Sequence, residues 1–326
     1  MGTLTSQQVR QLETEGYLLV KGALDLELDV APVEREFAGI LDRVAHDLYR
    51  DGKISQLHAG LPFEERFIAV ATESPEPIIA NFEIALPNGG FTAETPINCG
   101  PATFSLLRSP RILDLVEPLI GGEIFCNPVQ HTRIKLPPSV HAASRSGNLT
   151  DATQWHQDQG VVLAEADRTR TITVWAAMTA ADEENGCLIY EQRSHHEGLG
   201  FHCPADSPNR KFAVAIPDEW IDQTRAIPVP AERGDILIHY PLTKHGSLTN
   251  TSNRIRWSFD LRYHPIGQPT GRPMFPGFVA RSRSNPALEL DDHLAWRALW
   301  EDARTGILTG PMPPLHRWNT DAAACA

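Results

Sequence analysis

Apolar positions in the first third of the chain recur with a helical period. Residues 4–16, LTSQQVRQLETEG, predict a helix that has Thr5 or Ser6 as its N-cap and stops at Gly16. The apolar run YLLVKGAL then predicts a short strand. Two further helices are predicted, one over residues 31–50 and one over SPRILDLVEPLIGG, which begins at Ser109.

From residue 124 onward the pattern changes to short β-type runs separated by Gly, Pro, Asn and Asp. These runs are IFCNPVQHTRIKL, TITVWAAMTA, CLIYEQ, FAVAIP, DILIHYP and IRWSFDLRYHP. Helices followed by many short strands predict a mainly β barrel or sandwich with flanking helices. We therefore expect one catalytic domain over 1–326: a mostly helical part (1–123), a β core (124–264) and a C-terminal loop and helix (265–326).

Near the C-terminus, the segment DDHLAWRALWEDAR returns to a helical period. Leu294, Trp296, Leu299 and Trp300 form an apolar stripe that we expect to pack on the β core. Two long loops are also predicted, over residues 137–153 and 264–283. The first precedes a His-x-Asp pair and is a candidate lid, and the second is a candidate opposite rim.

Composition narrows the class of protein. The chain has 326 residues, 41% of them hydrophobic, and a formal net charge of −12. This acidic balance disfavours nucleic acid as a partner, and no apolar run approaches the roughly 20 residues that span a bilayer. Five scattered cysteines without a CxxC motif predict free thiols and a cytoplasmic location.

The candidate chemistry lies in the segment QWHQDQG, where His156 and Asp158 stand two residues apart. On a strand, such residues point to the same side and could ligate one ion. His239 lies inside an apolar strand and is expected to be a packed histidine, whereas His245 follows that strand, before Gly246. His156, Asp158 and His245 together form the two-His-one-carboxylate set that suits non-haem Fe(II).

Such a site leaves about three positions of an octahedron open, enough for a bidentate organic acid and dioxygen. Arg254 and Arg256 follow His245 on an expected strand, and a buried arginine needs a carboxylate partner. Ser247 and Ser258 could add hydroxyl groups. The residues between, such as Ile255 and Trp257, are apolar and are expected to pack away from the site.

These motifs, in this order, resemble the phytanoyl-CoA dioxygenase family of Fe(II)- and 2-oxoglutarate-dependent oxygenases. The resemblance covers residues 4–264 and rests on five segments: LTSQQVRQLETEGYLLVKGAL, SPRILDLVEPLIGGEIFC, WHQDQG, TVWAAMTAADEENGCLIYEQRSHHEG and GDILIHYPLTKHGSLTNTSNRIRWSFDLRY. It implies a double-stranded β-helix, the cupin-like jelly roll, with flanking helices.

The resemblance also implies roles for single residues. His156, Asp158 and His245 would bind iron, and Arg256 would hold the far carboxylate of 2-oxoglutarate, with Arg254 as the weaker candidate. Further co-substrate contacts are implied for Ser247, Trp175, Ser258 and one residue of the strand QHTRIKLPP. In that strand His131, Arg133 and Lys135 share a face, and we favour Lys135.

The activity implied by the resemblance is hydroxylation of a small metabolite or natural product, with dioxygen and 2-oxoglutarate consumed and succinate and CO2 released. Desaturation, epoxidation and ring formation would use the same ligands. A coenzyme A ester would need a basic rim, for which Arg254, Arg262, Arg281 and Arg283 are candidates. A metal-dependent hydrolase and a non-catalytic jelly-roll binding protein remain as alternatives from other classes.

Overall fold

The structure is a computed structural model of the chain, and it describes residues 2–87, 90–140, 152–204 and 214–310 together with residues 314, 317, 318 and 325. The described helices are α1 (Ser6–Glu15), α2 (Ala31–Arg50), α3 (Phe63–Glu73), α4 (Pro101–Leu107), α5 (Pro110–Ile120) and α6 (His293–Thr309). The described strands are β1 (Tyr17–Val20), β2 (Glu123–Cys126), β3 (His131–Lys135), β4 (Thr153–His156), β5 (Ile172–Ala177), β6 (Leu188–Glu191), β7 (Cys203–Pro204), β8 (Val214–Ala215), β9 (Ala226–Val229), β10 (Ile236–His239), β11 (His245–Ser247), β12 (Arg256–Pro265) and β13 (Phe278–Ser282).

Two antiparallel sheets carry the fold. The larger sheet has the order β1-β10-β5-β12-β2-β13, and β3 pairs with β12 on the same edge as β2. The smaller sheet has the order β4-β11-β6-β9, and β7 and β8 form a separate hairpin-like pair. From β3 to β6 and from β9 to β12, successive strands alternate between the two sheets, which is the connectivity of a jelly roll. The predicted mainly β fold with flanking helices is confirmed.

Three N-terminal helices, α1, α2 and α5, form where the sequence predicts them. In α1 the side chain of Thr5 accepts from the backbone N–H of Gln8, and the side chain of Gln8 accepts from the backbone N–H of Thr5. These two hydrogen bonds form a capping box. The helix stops at Gly16, whose φ of 86° is in the left-handed region. The sequence interpretation did not include α3 and α4.

Helix α2 covers the outer face of the larger sheet. Its Phe37 is fully buried, and its ring lies 4.9 Å from the ring of Trp257 and 5.6 Å from that of Phe259. Ile255, Trp257, Phe259 and Leu261 all belong to this core, as expected. The alternating polar side chains of β12 therefore face the barrel interior.

The sheet extends beyond the predicted core of 124–264. Strand β1 pairs with β10, and β13 pairs with β2, so the predicted rim loop 264–283 contains a strand. Residues 141–151, most of the predicted lid, lie outside the described residues. No helix in the described part of the chain is both long and apolar enough to cross a membrane.

Helix α6 packs mainly through its two tryptophans, with Ile307 partly buried against the same core. Trp296 and Trp300 are fully buried, against Phe104 and Phe275 respectively. Leu294 and Leu299 are 54% and 38% exposed, so the predicted four-residue stripe is only half buried.

The cysteines do not all remain free. Cys203 and Cys325 form a disulfide, while Cys99, Cys126 and Cys187 are buried thiols. The expectation of five free thiols is therefore wrong, and the cysteine pattern no longer argues for a reducing compartment.

Beside this disulfide, two C-terminal residues contact the turn that follows Asp158. Trp318 donates its indole N–H to the carbonyl oxygen of Gly160 at 2.6 Å, and Arg317 donates to the carbonyl oxygens of Val162 and Leu163 at 3.0 Å each. The last described part of the chain thus returns to the barrel.

Candidate active site

Strands β4 and β11 of the smaller sheet bring two histidines together. His156 ends β4 and is the cross-strand partner of His245, the first residue of β11. The sequence predicts that Asp158 lies on the same strand as His156. Asp158 instead begins a 3-10 turn over Asp158–Val161. Because Gln157 between them is extended, the side chains of His156 and Asp158 still converge. Ligand atoms of His156, Asp158 and His245 all lie within 4.8 Å of one another.

Both imidazole rings are oriented by backbone carbonyl groups. Nδ1 of His156 lies 2.9 Å from the carbonyl oxygen of Gln154, and Nδ1 of His245 lies 2.9 Å from that of Thr243. These contacts assign the proton to Nδ1 and leave the Nε2 lone pairs directed towards Asp158. Burial lowers the pKa of both histidines, and that of His245 falls well below its usual range. Neutral imidazoles are the form that binds metal.

The carboxylate of Asp158 is held on both oxygens. Oδ2 accepts from the hydroxyl of Thr173 at 2.5 Å and lies 3.1 Å from Nε2 of His239. Oδ1 accepts from Nη2 of Arg262 and lies 3.8 Å from Nε2 of His156 and 4.0 Å from Nε2 of His245. Burial alone would raise the pKa of Asp158, but Arg262 and His239 outweigh burial and hold the pKa well below its usual range. The group is therefore a carboxylate.

Arg256 lies in the same interior, near the start of β12, and is 2% exposed. Its Nε donates to the carbonyl oxygen of Gly186 at 3.2 Å and its Nη1 donates to the hydroxyl of Ser258 at 2.7 Å. The guanidinium carbon lies 5.6 Å from the ring centre of Trp175. Burial lowers the pKa of Arg256 to about 10. It pairs with no carboxylate in the part of the chain that the structure describes.

One cavity joins His156 and His245 to Arg256, and Asp158 lies beside it, bonded to the lining residues Thr173, His239 and Arg262. Its lining consists of Arg133, Thr153, His156, Thr173, Trp175, Leu188, His239, His245, Gly246, Arg256, Asp260 and Arg262. Among the charged groups, Arg133 pairs with Asp260 at 3.0 Å and Arg262 pairs with Asp158. Arg256 is the arginine of this lining without a carboxylate, so the cavity suits an anion at that position.

Comparison with known proteins agrees with this geometry. The sequence model of the phytanoyl-CoA dioxygenase (PhyH) family matches residues 12–258. The chain belongs to the phytanoyl-CoA dioxygenase family. The predicted family membership is therefore confirmed.

Two relatives and one solved structure illustrate the range of similarity. A probable phytanoyl-CoA dioxygenase of Caenorhabditis elegans is 29% identical over 170 residues, 50% of this chain and 51% of that protein. Phytanoyl-CoA dioxygenase domain-containing protein 1 of Danio rerio is 24% identical, over 78% of this chain and 88% of that protein. The structure of ThoJ, a non-heme monooxygenase, has a TM-score of 0.54 at 17% identity and covers 91% of this chain and 96% of its own; this likeness shows the jelly-roll fold. The chain spans about half the length of some curated relatives.

Other expected co-substrate contacts of this PhyH-family chain fall in different places. Trp175 lines the cavity and Ser258 binds Arg256. The hydroxyl of Ser247 accepts from the backbone N–H of Thr153 at 3.0 Å. Lys135 donates to the carbonyl oxygen of Leu248, whereas Arg133, on the same strand, reaches the cavity.

The four arginines considered for a coenzyme A rim do not form one. Arg254 precedes β12 instead of lying on it, and pairs with Asp182 at 2.7 Å. Arg281 and Arg283 both pair with Glu117 of α5, and Arg262 is buried beside Asp158. Each guanidinium already has a carboxylate partner.

Sequence reasoning missed three groups that hold Asp158. These are Thr173, His239 and Arg262, of which His239 was expected only as a packed histidine and Arg262 only at the rim. One signal was present, because Arg262 stands six residues after Arg256 on a strand and so shares its interior face. No local pattern marks Thr173.

Proposed function

We propose that this protein is a non-haem Fe(II)- and 2-oxoglutarate-dependent dioxygenase that hydroxylates a C–H bond of a small metabolite or natural product, with release of succinate and CO2. The observation that carries the proposal is the buried Arg256, which has no carboxylate partner among the described residues and shares a cavity with His156 and His245. Ligand atoms of these two histidines and of Asp158 lie within 4.8 Å of one another. A dicarboxylate that chelates a metal at one end would meet that guanidinium at the other.

The donor set supports iron as the resident metal. Two neutral imidazole Nε2 atoms and one carboxylate oxygen form a triad that leaves the remaining positions open. When bound, Fe(II) would supply the activation of dioxygen that the oxidative decarboxylation of 2-oxoglutarate requires. The protein's part is to hold the three ligands, to bind the far carboxylate through Arg256 and to exclude bulk water.

The cavity lining supports a polar co-substrate and a polar, compact substrate. Arg133 lines the cavity, whereas Lys135 does not, so we place the strand contact to 2-oxoglutarate at Arg133 and not at Lys135. Only Trp175 and Leu188 of the described lining are apolar. A long acyl chain would cover charged groups without compensating them, and the ion-paired arginines favour a substrate without coenzyme A.

The same ligands would support desaturation, epoxidation or ring formation, which differ in the substrate held beside the metal. A hydrolase that uses the triad for Zn²⁺ would leave Arg256 buried without a partner, at a cost in free energy. The oxygenase gives that arginine a role.

Anaerobic titration with Fe(II) and 2-oxoglutarate tests the proposal. We expect a weak metal-to-ligand charge-transfer band in the visible spectrum of the wild-type protein, because 2-oxoglutarate would chelate the iron. The double variant His156→Ala, Asp158→Ala should show no band. Substrates can then be sought by succinate release from candidate metabolites.

His264→Ala is the matched control, since His264 is also a buried histidine and lies on β12 outside the cavity lining. This variant should keep the band. The proposal fails if the wild-type protein shows no band, and the ligand assignment fails if the band survives in the double variant.

A further inference from the structure

His239 and Tyr190 approach the candidate metal centre from the two different sheets. His239 ends β10 of the larger sheet and is the cross-strand partner of Thr173 on β5. Tyr190 lies on β6 of the smaller sheet and is the cross-strand partner of His245. Both side chains are buried, at 1% and 0% exposure. The pair therefore links the two sheets beside Asp158.

The direction of the hydrogen bonds follows from the chemistry of the groups. Nε2 of His239 lies 3.1 Å from Oδ2 of Asp158, and a carboxylate can only accept, so Nε2 carries a proton. With Nε2 as the donor, Nδ1 serves as the acceptor for the hydroxyl of Tyr190, 3.0 Å away. Tyr190 thereby selects the tautomer of His239 that donates to Asp158.

These bonds give the two carboxylate oxygens different environments. Oδ2 has two donors from the larger sheet, the hydroxyl of Thr173 and Nε2 of His239. Among the described residues, Oδ1 accepts from Nη2 of Arg262 alone, and it is the oxygen that lies 3.8 Å and 4.0 Å from the Nε2 atoms of His156 and His245. A metal between the two imidazoles would meet Oδ1, while Oδ2 already accepts two hydrogen bonds from the larger sheet.

Resting on the proposed metal site, we infer that His239, held by Tyr190, is a positioning residue that limits Asp158 to binding the metal through Oδ1 alone. A carboxylate bound through both oxygens would occupy one of the open positions. By retaining Oδ2, His239 keeps that position available for 2-oxoglutarate and dioxygen. Its ring also packs 4.3 Å, centre to centre, from the ring of His245.

Cobalt(II) binding to the full-length protein tests this role without turnover. His239→Gln keeps an N–H donor near the position of Nε2, whereas His239→Phe keeps a ring but no donor. Loss of such a supporting contact typically weakens metal affinity about 10- to 100-fold. We expect a loss of that size for His239→Phe and, because the donor is restored, an affinity for His239→Gln close to that of wild type.

A second readout separates positioning from general stability. In the Co(II)-loaded protein, His239→Phe should also bind 2-oxoglutarate more weakly, because the released Oδ2 competes for its position, while His239→Gln should not. Tyr190→Phe removes one hydroxyl from an otherwise intact site and should lower Co(II) affinity less than His239→Phe does. The control is His264→Gln, a buried histidine that does not line the cavity.

The possible outcomes are distinct. Unchanged Co(II) affinity in both His239→Phe and Tyr190→Phe would overturn the positioning role. A loss in His239→Gln as large as that in His245→Ala would overturn it too, because His239 would then be a ligand itself. Absence of Co(II) binding in the wild-type protein would reject the proposed metal site, and this inference with it.

Discussion

At the scale of single residues, Arg256 is the group whose burial most needs a reason. Its guanidinium is 2% exposed and has no carboxylate partner among the described residues. In place of water it contacts two neutral acceptors, the carbonyl oxygen of Gly186 and the hydroxyl of Ser258, and the ring of Trp175. Burial lowers its pKa to about 10, which still leaves it charged near neutral pH. Its charge is thus available to a ligand.

Arg256→Ala should weaken the binding of 2-oxoglutarate by about 2–5 kcal/mol, the usual cost of removing one partner of a buried, hydrogen-bonded charge pair. The measurement is an anaerobic titration of the metal-loaded protein with 2-oxoglutarate. Arg254→Ala is the matched control, because Arg254 is 44% exposed and paired with Asp182. Equal loss in both variants would contradict the assignment of Arg256.

Residue types and spacing were enough to single out the candidate metal ligands and Arg256, since this choice depends on one short motif and on strand alternation. The groups that hold Asp158 were not predictable in the same way. The pattern DILIHYP predicts only that His239 is packed in an apolar strand. Its contact with Asp158 joins residues that are 81 positions apart in the chain. Such a contact is visible only once β10 and β5 are paired.

At the scale of elements, the turn before β6 places Arg256. Gly186 has a φ of 93°, in the left-handed region, and its N–H donates to the carbonyl oxygen of Asp182 at 3.0 Å. The carbonyl oxygen of Gly186 in turn accepts from Nε of Arg256. A Cβ at Gly186 would lie 2.5 Å from the carbonyl oxygen of Leu248, so the turn has no room for a side chain.

Gly186→Ala should therefore both destabilise the protein and weaken 2-oxoglutarate binding. Left-handed strain alone costs about 1–2 kcal/mol in a residue with a Cβ, and the steric clash adds to it. Gly267→Ala is the control, because Gly267 has a φ of 83° but open space around its Cβ position. Urea unfolding and 2-oxoglutarate titration of both variants check this, and equal effects would show that the turn does not support Arg256.

Element types followed from local pattern in α1, α2 and α5, whose apolar positions recur with a helical period. Helix α4 has only seven residues, PATFSLL, which is too short for a helical period to be distinguished from a strand. Strand β13 lies in a segment rich in Pro and Gly and forms because β2 offers it an edge. The predicted strand through Asp158 ends at His156, because a 3-10 turn begins at Asp158.

At the scale of the whole molecule, buried histidines link stability to pH. His202 is fully buried, its Nε2 accepts from the backbone N–H of Gln157 at 2.9 Å, and burial lowers its pKa to about 4. Between pH 6.5 and 4 the unfolded chain binds a proton that the folded chain does not, so stability falls as the pH is lowered through this window. From His202 alone the loss reaches about 3 kcal/mol.

His202→Gln keeps an acceptor for Gln157 but cannot bind a proton, so its free energy of unfolding should fall less between pH 7 and pH 5 than that of wild type. Urea unfolding at several pH values measures this slope. His46→Gln, at a histidine whose side chain is 55% exposed, should leave the slope unchanged. A wild-type slope in His202→Gln would show that His202 is not the group responsible.

A mainly β core with flanking helices was predictable from the pattern, because helices followed by many short strands have few stable arrangements. The jelly roll itself was implied by the resemblance to the family. Its edges were not. Strand β1 lies 216 positions or more from its partner β10, and local patterns carry no information on which edge a four-residue strand joins.

The contacts of Arg317, Trp318 and Cys325 limit where the chain can be truncated. Helix α6 ends at Thr309, and a truncation there would look harmless. It would leave Cys203 as an unpaired thiol and remove the indole and guanidinium donors now bonded to the carbonyl oxygens of Gly160, Val162 and Leu163. Those carbonyls belong to the chain that follows Asp158, so a shortened or strongly reduced sample could lose metal with every ligand still present. An affinity tag is accordingly better fused to the other end.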